Sequence, residues 1–183
     1  RPSAASDVYK RQAVLVEIVQ GEGGVRALDA DYLKAVEALC HEKNVLFCVD
    51  EVQTGNGRTG TWFAYEQFGL SPDLVSTAKG LGNGLPIGAT LMGSKTAEVL
   101  TPGTHGSTFG GNPVACAGAL SVLEQIDDAF LEAVKQKGAW LTAELEKIPG
   151  VKDVSGLGLM LGFSVEGCKS ADIKAKALDN GLV

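Results

Sequence analysis

Continuous apolar runs alternate along this chain with stretches whose apolar residues recur every three or four positions. The first run, residues 13–19 (AVLVEIV), is mostly β-branched and predicts a buried strand. QGEGG breaks it and leaves Glu17 and Glu22 at or past the strand end. Asp29 or Asp31 then caps a helix through about residue 43, with Leu33, Val36, Leu39 and Cys40 on its apolar face. A second strand covers residues 45–50. Strand, helix, strand in this order predicts a parallel pair joined by a helical crossover.

The pattern then repeats with shorter pieces. A short helix ends near Gly69, and a third strand, residues 74–78, stops at Lys79. After the loop GLGNG, residues 86–93 form a strand close enough to return antiparallel. Residues 101–113, TPGTHGSTFGGNP, lead into a helix over 113–126 with proline in its first turn. A longer helix, 127–148, carries Leu131, Val134, Leu141 and Leu145 along one side. Residues 151–165 read as strand, glycine turn, strand, followed by a helix over 171–179 that should lead into a further strand. The expectation is an α/β fold, mostly parallel with one antiparallel strand. A domain change is expected near Asp127, with residues 127–183 forming a connecting helix and the unfinished beginning of a further domain. The first twelve residues, RPSAASDVYKRQ, are polar and aperiodic, and read as a foreign or disordered segment.

Composition narrows the function classes. A 45% hydrophobic and 21% charged chain is globular, and a net charge of −6 argues against nucleic-acid binding. No apolar run approaches the ~20 residues that cross a bilayer. Cys40, Cys48, Cys116 and Cys168 form no CxxC, and His41 and His105 do not join them at ligand spacing. That argues against a metal cluster or a disulfide framework and points to a reducing cytosol.

Three features carry candidate chemistry. Lys79 stands alone at a strand end among small and apolar neighbours. Burial favours the neutral amine that attacks a carbonyl, so partial desolvation is expected there. By itself, a strand-end lysine is ordinary surface chemistry. Asp50 ends the preceding strand one crossover away, on the rim where parallel sheets bind ligands. The hydroxyl- and glycine-rich loop before Pro113 offers an anion site. GNGRTG, residues 55–60, is a literal GxGxxG, which makes a nucleotide-binding module the competing reading. Four residues separate it from its strand and an aromatic stretch follows, so its context is wrong for that fingerprint.

Taken together, VEIVQGEGG, VDEVQTGNGRTG, PDLVSTAKGLGNGLPIGA and HGSTFGGNPVACA resemble the class III, fold-type I pyridoxal-phosphate aminotransferases. The resemblance covers nearly everything from Ala13 onward. It implies transfer of an amino group between amino-acid and 2-oxo-acid substrates, with pyridoxal 5'-phosphate as cofactor. It implies that Lys79 holds the cofactor as a Schiff base and shuttles the substrate proton. Asp50 is implied as partner of the pyridine nitrogen, Val52 as the apolar residue under the ring, and Gln53 as the amide near the phenolic oxygen. Ser107 and Thr108 match the hydroxyls that reach the phosphate of the other subunit's cofactor, which makes the active unit a homodimer. Glu22 matches a glutamate that holds the substrate-carboxylate arginine. Glu17-Ile18 departs from the family's usual Glu-Pro, and Ser155 stands where an arginine is common. The family's first phosphate loop and ring-stacking aromatic lie before residue 13, and its carboxylate arginine after residue 183. The 183 residues alone are therefore expected to be inactive.

Overall fold

A computed structural model describes residues 12–183. Residues 1–11 of the expected foreign segment lie outside this range. Gln12, the last residue of that segment, lies within the range, and its carbonyl accepts from Leu46 N–H at 2.9 Å. It thus extends the first strand ladder by one residue.

The central sheet has four strands, β1 (Ala13–Val16), β4 (Leu46–Asp50), β5 (Leu74–Thr77) and β6 (Ala89–Met92), in that spatial order. The first three are parallel and β6 is antiparallel to β5. This is the mixed sheet expected from the short loop before β6.

The first apolar run is not one buried strand. β1 stops at Val16, and Val19–Gln20 becomes β2, paired antiparallel with β3 (Arg26–Ala27). The break has a local cause: Glu17 Oε2 accepts Gly21 N–H at 3.1 Å and turns the chain. β1 is also an edge strand, and Leu15 is exposed. The apolar weight lies past the break, where Ile18 and Val19 are fully buried.

Asp29, rather than Asp31, caps α1 (Ala30–Glu42), accepting Tyr32 N–H at 2.9 Å. α1 sets Leu33 and Cys40 into a core with Ile18, Phe47, Val49, Ala64 and Leu70. Cys40 and Cys48 are core residues, and burial pushes both thiols up, with Asp73 adding to it. Asp73 also fastens β4, accepting Phe47 N–H at 2.9 Å while Lys95 pairs with it at 3.2 Å.

The second half follows its caps. Asn112 starts α2 (Pro113–Leu123) by accepting Val114 and Ala115 N–H. Asp127 starts α3 (Asp128–Glu146) by accepting Phe130 N–H at 2.7 Å. β7 (Val151–Leu157) and β8 (Met160–Val165) form the expected hairpin, and α4 (Ser170–Asp179) follows. The hairpin is anchored back to the first half. Ser155 Oγ donates to the Val25 carbonyl at 2.7 Å, and Leu159 N–H donates to the Arg58 carbonyl at 3.1 Å. Gly138 of α3 sits against Gly158 of the hairpin turn with no room for a side chain. These contacts close one wall of the site described next.

Candidate active site

The C-terminal ends of β4 and β5 lie side by side, with Asp50 in register with Ser76. Both strands are apolar until their last residues, so the first polar groups emerge at the rim where the ladder ends.

Asp50 is half-buried. Its Oδ1 accepts Val52 N–H at 2.9 Å and Ser76 Oγ at 3.1 Å. Among the described residues its other oxygen accepts no hydrogen bond, so one carboxylate oxygen is held and the other is open to a ligand.

Lys79 begins a one-turn 3-10 segment, Lys79–Leu81, just past β5. Its φ is +44°, the left-handed region that side-chain-bearing residues seldom occupy. Such strain costs about 1–3 kcal/mol and gathers at functional sites. Among the described residues Lys79 forms no ion pair. The expected desolvation is not found: Lys79 is exposed, because its neighbours Ala78 and Gly80 are too small to cover it.

Lys79, Val52 and Gln53 line one cavity of about 440 Å³, with Asn56, Arg58 and Phe130. Asp50 opens instead onto an adjoining cavity of about 450 Å³, beside Glu17, Gln20 and Tyr32. Residues 50–53 thus form the partition between the two. Gln53 rests on Gly21, where a Cβ would collide with its amide.

The remaining candidates lie apart. Ser107 and Thr108 are exposed in the loop before α2, where Ser107 lines a separate hollow with Ile87, Phe109 and Asn112. Glu22 is exposed in the turn between β2 and β3 and lines neither of the two main cavities.

Sequence reasoning missed Glu51, Asn56, Arg58 and Phe130. Glu51 is fully buried and accepts from Thr54 Oγ1, from Ala64 N–H at 3.0 Å and from Tyr65 N–H at 2.9 Å. It ties the two ends of the loop that contains Val52, Gln53 and GNGRTG. Its place beside Asp50 at a strand end was the one available signal. That loop is a run of turns ending at the 3-10 segment Ala64–Phe68. It opens no long helix, which removes the main support for the nucleotide reading.

Burial pushes the Glu51 carboxyl up, and its three hydrogen bonds pull it back only in part. A raised carboxyl contributes most to stability below the unfolded value near 4.5, and this contribution is lost as pH rises through the folded value. Glu51→Gln turns an amide NH₂ towards a donor and should cost about 2 kcal/mol. Urea unfolding should show that loss greatest below about pH 4.5 and smaller at pH 8. A loss independent of pH contradicts a raised Glu51.

The class-III aminotransferase family profile matches residues 9–183, beginning inside the segment expected to be foreign. The chain belongs to this family of aminotransferases. It is 52% identical over 172 residues to the acetylornithine aminotransferase of Haemophilus ducreyi, covering 93% of this chain and 44% of that one. It is 49% identical to the Bacillus subtilis acetylornithine aminotransferase, covering 93% of this chain and 45% of that one. The chain therefore spans less than half the length of these curated relatives.

Among solved structures, N-acetylornithine aminotransferase from Stenotrophomonas maltophilia superposes with a TM-score of 0.83 at 37% identity, covering 94% of this chain and 47% of that one. An ornithine aminotransferase from Toxoplasma gondii gives 0.82 at 38%, covering 93% and 42%, and its structure shows pyridoxal phosphate at the active site at partial occupancy. The architecture is fold-type I α/β. The family depends on pyridoxal phosphate. The donor set here fits that cofactor: an amine that forms no ion pair among the described residues, and on the neighbouring strand a carboxylate oxygen that accepts no hydrogen bond among them.

Proposed function

We propose that the full-length protein is a pyridoxal-phosphate-dependent acetylornithine aminotransferase. It would move the δ-amino group of N2-acetylornithine to 2-oxoglutarate, giving N-acetylglutamate 5-semialdehyde and glutamate, within arginine biosynthesis. The observation that carries the reading is Lys79, held at φ +44° and without an ion pair among the described residues, just past the end of the strand next to Asp50's. The curated relatives at about half identity support the choice of donor.

Lys79 Nζ would hold the cofactor through its aldehyde and would move a proton to and from the substrate carbon. When bound, the cofactor supplies an electron sink for the carbanion left behind. Asp50, steadied through Oδ1 by Val52 N–H and Ser76 Oγ, would keep a proton on the ring nitrogen with its other oxygen. Val52 would supply an apolar surface for the ring and Gln53 an amide for the phenolic oxygen. Glu22 would hold a carboxylate-binding arginine until substrate arrives, and its exposed turn leaves it free to do so.

Ser107 and Thr108 would reach the phosphate in the partner subunit of a homodimer. Their loop is exposed, and Phe109, Val114 and Leu120 beside it present apolar surface to solvent, as a covered interface would. Residues 13–126 would form the C-terminal half of the large cofactor domain, and 127–183 a connecting helix and the beginning of the small C-terminal one. All four cysteines are free thiols, which suits the cytoplasm. No helix among the described residues is long and apolar enough to cross a membrane.

Donor choice is testable on the full-length enzyme with 2-oxoglutarate as acceptor. N2-acetylornithine should give a kcat/KM at least about tenfold above ornithine, succinylornithine and 4-aminobutyrate, a modest discrimination for one substituent. A preference for one of the other three would reassign the substrate without touching the site.

A further inference from the structure

We propose that Asn56 is a positioning residue for Lys79, a role that rests on the reading of Lys79 as the cofactor-binding lysine. Three contacts carry it. Asn56 Nδ2 donates to Thr77 Oγ1 at 2.9 Å and to the Ala78 carbonyl at 3.3 Å. Its Cβ lies 3.6 Å from where a side chain on Gly80 would begin. One side chain therefore hydrogen-bonds to the two residues before Lys79 and lies beside the one after it.

Those neighbours control the lysine's backbone. Ala78 is extended, with φ −162° and ψ −144°, and Lys79 turns at once to φ +44°. A left-handed non-glycine residue persists only where its surroundings hold it there. The peptide plane between Ala78 and Lys79 would rotate if Lys79 relaxed, and the carbonyl in that plane is the one Asn56 grips. Asn56 also lies beside Gly80, the residue that follows Lys79. The bracket is set at its own end too. Asn56 has φ +56°, which asparagine tolerates better than most side chains, and Gly57 follows at φ +82°. The GNGRTG loop thus reaches across from β4 to hold the end of β5, and Asn56 shares the cavity with Lys79.

Two variants of the full-length enzyme separate this from a packing role. Asn56→Gly removes the amide and keeps the left-handed backbone accessible. Thr77→Val removes one acceptor with little change of shape. Asn56→Gly should lower kcat about tenfold, as small misplacements of a reacting group do. KM for the amino donor should stay within about twofold, since no substrate contact is lost. A crystal structure of its cofactor-free form should show Lys79 φ leaving the left-handed region. Thr77→Val should lower kcat less, about threefold, and the double variant should cost less than the product of the two. Wild-type kcat together with an unchanged Lys79 φ in Asn56→Gly overturns the proposal. If Asn56→Gly does not fold, wild-type kcat in Thr77→Val overturns it instead. Lys79→Ala is the control. A visible band of lysine-bound cofactor surviving in Lys79→Ala refutes the reading of Lys79 itself. Loss of that band alongside wild-type kcat in Asn56→Gly refutes only the positioning role.

Discussion

Lys79→Ala in the full-length enzyme is expected to abolish the visible absorbance of lysine-bound pyridoxal phosphate and to lower kcat by at least about a thousandfold. Two functions are lost together: the covalent tether and the group that moves the substrate proton, and proton transfer alone is worth about 10²–10⁴-fold. The fold should survive, because Lys79 is exposed and makes no ion pair among the described residues. Removing a side chain from a left-handed position does not disturb the core. The melting temperature of the cofactor-free protein should therefore stay close to wild type while activity disappears. An added small primary amine should restore part of the proton transfer, since the cavity around Lys79 is open enough to admit one. A variant that keeps the visible band would show that another lysine holds the cofactor.

Asp50→Asn should lower kcat by about 10²–10³-fold, the usual cost of deleting one charge-stabilising contact in a site. Asparagine can still accept from Val52 N–H and Ser76 Oγ through its single oxygen, so the strand end should keep its shape. What it cannot do is hold a proton on the ring nitrogen with a second anionic oxygen. Cofactor binding should weaken less than turnover falls. A cofactor analogue methylated at the ring nitrogen carries a fixed positive charge and should restore much of the lost rate to Asp50→Asn. No recovery with that analogue would mean that Asp50 serves only the fold.

Much of the fold was legible in the sequence because its signals are local. Asp29, Asn112 and Asp127 each precede an amphipathic or apolar stretch and cap it through their own side chains. The parallel order of β1, β4 and β5 followed from apolar runs separated by a crossover, and Lys79 and Asp50 were visible as the residues where those runs end. β2 and β3 were missed because two-residue strands carry no period, and because Glu17 turns the chain with a side chain rather than a glycine. The strand pairing of β7 and β8 was legible, but its register shift between Lys152 and Ser155 was not. Asp153, at φ +53°, gives no warning of it in the sequence.

The site was less legible than the strands that bear it. Phe130 enters the Lys79 cavity from the start of α3, more than fifty residues along the chain from Lys79, and no pattern announces that approach. Asn56 and Glu51 are read from hydrogen bonds that only the folded loop creates. Asp50 and Lys79 sit on neighbouring strand ends yet open to different cavities, which strand order alone does not reveal. Exposure of Lys79 was missed for the opposite reason: small neighbours suggested burial, but smallness also leaves a side chain uncovered.

The most direct test concerns which lysine takes the cofactor. The full-length protein would be loaded with pyridoxal phosphate, reduced with borohydride to lock the lysine–cofactor bond, digested, and its peptides mapped by mass spectrometry. The label should sit on the peptide containing Lys79, at about one per chain, and on no other lysine in comparable amount. A label distributed over surface lysines such as Lys43 and Lys147, or centred on Lys95, would contradict the assignment of Lys79.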